Sequence, residues 1–145
     1  MASFFKFAKE ALAAELDKFR NRQFLDATMA ASALVSMADG DANITEINIL
    51  DQALETIQEL KIYDPHDAMD LYRDYIDGLR TDPGATRDRI MQTIGKIQED
   101  PHAARLLIRV CVAIGKADED FSGPEKAVIT ELCQSLGLDC GELGL

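Results

Sequence analysis

No run of eighteen or more apolar residues occurs in the chain, which excludes an ordinary membrane-spanning helix. No secretory leader is expected from the first residues, where Lys6 and Lys9 are mixed with Phe4, Phe5 and Phe7 instead of preceding an apolar stretch and a small-residue cleavage site. The expected location is the cytoplasm, with no direct insertion into a membrane. Cysteine is scarce. Cys111, Cys133 and Cys140 are odd in number and form no Cys-x-x-Cys pair, which argues against a disulfide framework and against a thiolate zinc site. Cys111 and Cys133 read as buried, unpaired thiols. Positive charge is also short. Fifteen Lys and Arg face 26 Asp and Glu, a net charge of -11, so the surface repels nucleic acid and anionic headgroups and favours cations or basic protein surfaces.

Signatures of catalysis are absent as well. There is no Gly-rich phosphate loop, no His-Glu-x-x-His and no Gly-x-Ser-x-Gly. His66 and His102 each follow an Asp-Pro pair and read as polar residues in a helical first turn. Cys111 lies mid-helix between Val110 and Val112, and Asp139 beside Cys140 opposes its thiolate. Open, polar loops offer little desolvation to raise a carboxyl pKa for acid–base work. A binding protein is expected, not an enzyme.

What the chain does have is helical spacing. Its 145 residues, 47% hydrophobic, suffice for one core, so a single domain over residues 1–145 is expected. Phe5, Ala8, Leu12, Leu16 and Phe19 recur at three and four, predicting a first helix that packs on the core. A second runs from about Asn21 to Ala38, and its small residues Ala27, Ala30, Ala31, Ser32 and Ala33 suit a central position. Asp64-Pro65, Asp82-Pro83 and Asp100-Pro101 each offer a capping carboxylate followed by a residue preset for the first helical position. They mark three helix starts. Helices from Asn43 to about Lys61 and from Pro124 to about Leu136, the latter closed by Gly137, complete an all-α fold of about seven helices.

The chain also repeats itself. Ala38-Asp39-Gly40-Asp41-Ala42-Asn43-Ile44-Thr45-Glu46 aligns without a gap on Ala117-Asp118-Glu119-Asp120-Phe121-Ser122-Gly123-Pro124-Glu125, at an offset of 118 − 39 = 79. Apolar positions keep pace, Ile49, Leu50 and Ile57 lying over Val128, Ile129 and Leu136. Two helix-loop-helix halves, residues 25–61 and 104–140, related by a pseudo-twofold axis, are expected.

Each half carries clustered carboxylates. Asn43 with Glu46 and Ser122 with Glu125 have capping-box spacing, which by itself accounts for the two glutamates. Asp39, Asp41, Asp118 and Asp120 precede the caps, and their oxygens are of the kind that hard divalent cations take as ligands. Asp118 to Gly123 fits the first six positions of an EF-hand calcium loop. The twelfth position is Ile129 in one copy and Leu50 in the other, so neither is a complete EF-hand. The candidate ligands are Asp39, Asp41, Glu46, Asp118, Asp120 and Glu125, for a weakly bound calcium, magnesium or zinc ion. The competing reading is an acidic protein-interaction scaffold whose loops serve only as helix caps.

The residues resemble those of the tellurite-resistance protein TerB and its relatives, small helical bacterial proteins with an Ala-Asp-Gly loop and an acidic helix start in each half. The likeness runs through Ser3-Phe4-Phe5, Phe19-Arg20-Asn21-Arg22-Gln23-Phe24, Ala38-Asp39-Gly40 and Ala103-Ala104-Arg105-Leu106-Leu107-Ile108-Arg109-Val110. It continues in Lys116-Ala117-Asp118, Glu125-Lys126 and Cys133-Gln134-Ser135-Leu136-Gly137-Leu138. The resemblance implies a bundle of about seven helices that binds metal ions through paired acidic loops. It also implies a role in bacterial stress and tellurite resistance, beside other such proteins and membrane-associated or calcium-binding partners, and no catalytic activity. Asp39, Glu46, Asp118 and Glu125 match the family's loop positions. Two residues depart from the pattern: Glu119 stands where the family usually has Gly, and Asp41 adds charge beside Ala42, where a larger apolar residue is usual.

Overall fold

The computed structural model describes residues 21–40, 42–57, 60, 63–116, 121 and 123–143, and among them it contains six α-helices, a short 3₁₀ turn and no strand. The chain is all-helical, as expected; the helix expected over Phe5 to Phe19 lies outside the described residues. The helices are α1 over residues 21–36, α2 Ile44–Thr56, α3 Pro65–Thr81, α4 Pro83–Gly95, α5 Pro101–Gly115 and α6 Gly123–Ser135, followed by the 3₁₀ turn Gly141–Leu143.

All three Asp-Pro pairs open helices. The Asp64 carboxylate accepts from the His66 N–H at 2.8 Å, Asp82 from Ala85 at 3.3 Å and Asp100 from Ala103 at 3.2 Å. Each thereby satisfies one N–H that a helix start leaves without an intrahelical partner, while the proline at the first position has none to satisfy. Asp82 serves twice. Its side chain caps α4, and its own N–H donates to the Gly78 carbonyl at 2.8 Å to end α3, so one residue joins two helices that pack on each other.

Every residue of α1 from Ala27 to Ser36 is buried, which makes it the central helix that its small residues suggest. Two tyrosines of α3 fasten to it. The Tyr75 hydroxyl donates to the Asp26 carboxylate at 2.7 Å, with the Arg89 guanidinium of α4 over the Tyr75 ring at 4.9 Å. Burial and the hydrogen bond to Asp26 raise the Tyr75 pKa above the usual phenol value. Deeper in, the Tyr72 hydroxyl donates to Ser36 Oγ at 2.9 Å, both residues being buried. Replacing Tyr72 by Phe is expected to cost about 1–2 kcal/mol, because it strands a buried hydroxyl. Adding Ser36→Ala should recover part of that loss, and denaturant titrations of the two single variants and the double variant measure the coupling.

α5 presents Ala104, Leu107, Ile108, Cys111 and Ile114, all 1% exposed or less, and packs against α2, α6 and the 3₁₀ turn. Helix boundaries keep the offset of the repeat. α1 and α5 end 115 − 36 = 79 residues apart, α2 and α6 begin 123 − 44 = 79 apart and end 135 − 56 = 79 apart. At the end of α6, Gly137 takes φ +71° and the chain reverses in a Schellman motif: the Gly137 N–H donates to the Gln134 carbonyl at 3.0 Å and the Leu138 N–H to the Cys133 carbonyl at 3.1 Å.

Candidate functional site: two loops between paired helices

The first loop links α1 to α2. After residue 36 the chain leaves the helix through hydrogen bonds from the Ala38 N–H to the Val35 carbonyl at 3.1 Å and from the Gly40 N–H to the Met37 carbonyl at 3.3 Å. Gly40 then adopts φ +128°, a conformation that side-chain-bearing residues rarely take. Asp39 is exposed at this turn. Four residues beyond it, Asn43 opens α2 with a complete capping box: Asn43 Oδ1 accepts from the Glu46 N–H at 2.9 Å and Glu46 Oε1 accepts from the Asn43 N–H at 3.4 Å. The Glu46 side chain lies inside the protein, 1% exposed.

The second loop links α5 to α6. Gly115 is buried, and the Phe121 ring lies where a Cβ on Gly115 would project. Lys126, in the first turn of α6, holds its ammonium 5.5 Å from the centre of that ring. Glu125 is 2% exposed, like its counterpart Glu46.

The six candidate ligands therefore divide. Asp39 faces solvent, Glu46 and Glu125 are buried at the first turns of α2 and α6, and Asp41, Asp118 and Asp120 lie outside the described residues. Glu46 and Glu125 turn inward while their neighbours in the same first turns, Ile44 and Thr45 in α2 and Gly123 and Pro124 in α6, are exposed. Glu119 and Ser122 also lie outside the described residues. Among the described residues no three His, Cys, Asp or Glu side chains converge as a metal-holding group.

The halves differ beside these loops. At the offset of 79, Phe121 is the counterpart of Ala42 and Gly115 that of Ser36. Where the second half sets an aromatic ring against a glycine, the first has the Ser36–Tyr72 hydrogen bond and a cavity of about 270 Å³ lined in part by Ala42, Ile47, Tyr72 and Ile76. The sequence showed the substitution but carried no sign of Tyr72, which arrives from α3.

The family model described as tellurite resistance protein TerB matches residues 25–144. The chain belongs to the TerB family. The match begins inside α1 and takes in both helix-loop-helix units of this TerB chain. A curated relative, the tellurium resistance protein TerB of an Alcaligenes species, is 22% identical over 102 residues, covering 70% of this chain and 84% of that protein. No solved structure matches. Among the described residues of this TerB-family chain, no helix is long and apolar enough to cross a membrane.

Proposed function

We propose that this TerB-family protein acts in tellurite resistance or a related stress response in the cytoplasm, without catalysis, by binding a divalent cation weakly through its two acidic loops. The observation that carries the reading is the recurrence of Asp39 and Asp41 as Asp118 and Asp120 at one offset, upstream of helix starts whose caps require only Asn43 with Glu46 and Ser122 with Glu125. The exposure of Asp39 supports it. In this reading the four aspartates supply oxygen ligands, and Glu46 and Glu125 anchor the ends of the loops from inside. Oxygen-only ligation suits calcium or magnesium better than zinc, which favours nitrogen and sulfur. The loops differ in sequence at this turn: Gly40 takes φ +128°, which is costly for a residue with a side chain, and Glu119 stands at the matching position of the second copy. Other stress or tellurite-resistance proteins, some of them membrane-associated, are the partners proposed.

Calorimetric titration of calcium, magnesium and zinc tests the proposal. Incomplete loops that retain water imply a Kd on the order of 10⁻⁴ M. At a hundredfold excess over that value the ion adds about 2.7 kcal/mol to stability, visible as a rise in Tm at constant ionic strength. Asp39→Asn combined with Asp118→Asn should abolish most of the affinity with little change in stability, whereas Ser122→Ala should cost about 1 kcal/mol of stability and leave affinity intact. The capping box and burial of Glu46 favour a second reading, in which the acidic loops are helix caps on an interaction scaffold. That reading takes over if the parent protein binds none of the three ions at millimolar concentration, or if the double Asp variant binds as the parent does.

A further inference from the structure

We propose that Cys133 and Cys140 form a dithiol site that accepts oxidising equivalents from small disulfides and closes to an intramolecular disulfide. The pair is built by the end of α6. Cys133 sits in the last turn of that helix, and the reversal at Gly137 brings Leu138 back beside it, with the Leu138 N–H donating to the Cys133 carbonyl at 3.1 Å. The Leu138 carbonyl then receives both thiols, Cys133 Sγ at 3.8 Å and Cys140 Sγ at 3.9 Å. Cys140 Sγ also reaches the Thr130 carbonyl at 4.0 Å, one helical turn before Cys133. Residues three apart share a helix face, so these contacts lay Cys140 along the face that carries Cys133. Both are free, and the third cysteine, Cys111, is buried in α5.

Exposure sets the order of events. Cys140 is half-buried and Cys133 fully buried, so a reagent from solvent meets Cys140 first. Burial, with the neighbouring Cys140 thiol adding to it, pushes the Cys133 thiol up to about 12, which keeps it protonated and poor as a first nucleophile. The Cys140 sulfur attacks one sulfur of the small disulfide, forming a mixed disulfide and releasing one thiol, which takes the Cys140 proton. The Cys133 sulfur then attacks Cys140 Sγ, forming the internal bond and releasing the second thiol with the Cys133 proton. Two protein thiols are oxidised and one disulfide is reduced to two thiols. The new bond ties the 3₁₀ turn Gly141–Leu143, which packs on α5, to the end of α6.

The test treats the native full-length chain with oxidised glutathione and follows intact mass and digestion products. The expected product is lighter than the parent by two hydrogens, carries a Cys133–Cys140 link with Cys111 still a thiol, and returns to the parent mass with reductant. Cys133→Ala should stop at a glutathione adduct on Cys140, and Cys140→Ser should leave Cys133 unreacted under the same conditions. Should Cys133→Ala fail to fold, the map of the parent chain decides. A lasting glutathione adduct on Cys140 of the parent, a link through Cys111, or no reaction of Cys140 overturns the proposal.

Discussion

Leu107→Ala is expected to lower the unfolding free energy by about 2–5 kcal/mol, the range for a large side chain removed from a packed core. Leu107 is fully buried on α5, the helix that packs against α2, α6 and the 3₁₀ turn together. A void there loosens both helix-loop-helix units at once, because α5 begins the second and supports α2 of the first. Against a typical total of about 5–15 kcal/mol, such a loss is a large fraction of the whole stability. Urea titration should show a lower midpoint with an unchanged slope, since the same surface is exposed on unfolding. A loss below about 1 kcal/mol would mean that α5 is not the support described.

Glu46→Ala should cost about 2 kcal/mol. Half of this is the capping box, in which Glu46 Oε1 accepts the Asn43 N–H, worth about 1 kcal/mol. The rest is the buried γ-methylene, the one methylene that alanine lacks, worth about 0.8 kcal/mol. Glu46→Gln keeps an oxygen for the Asn43 N–H and nearly the same volume, so the cap and the packing survive while the carboxylate is lost. Comparing the two variants separates structural from ionic roles. If Glu46 anchors the loop from inside, Glu46→Gln binds calcium nearly as the parent does. A tenfold loss of affinity on Glu46→Gln, with stability unchanged, would instead make Glu46 a ligand.

The helix starts were legible because their determinants are local. Asp64, Asp82 and Asp100 each reach an N–H two or three residues ahead, an interaction that the order of residues nearly specifies. Gly137 closing α6 is similar, since only a residue at ease with positive φ lets the Schellman bonds form. Helix ends were less legible. The helix expected to run to Ala38 stops at residue 36, because apolar spacing continues past the point where Gly40 and its hydrogen bonds turn the chain.

The candidate site was legible only in part. Spacing alone identified the capping box of Asn43 and Glu46, and comparison of the halves identified Asp39 as separate from it. Spacing could not indicate that Glu46 and Glu125 are shut inside, since a first-turn glutamate is exposed or buried according to what lies over the helix start. The cysteines show the same limit. Cys133 and Cys140 are seven residues apart, and their meeting depends on the angle at which the chain leaves Gly137.

The sequence by itself determined the helical class, the capped starts of α3, α4 and α5, the repeat at an offset of 79 and the kinship with TerB, because each rests on contacts within a turn or on residue order. The packing of whole helices settled that α1 is buried on every side from Ala27 to Ser36, that Tyr72 meets Ser36, that the two glutamates are enclosed and that two thiols share the Leu138 carbonyl. The physical reason is that burial and side-chain meetings depend on how whole helices pack. Packing is set by the summed shape of many residues, which no local pattern in the chain encodes.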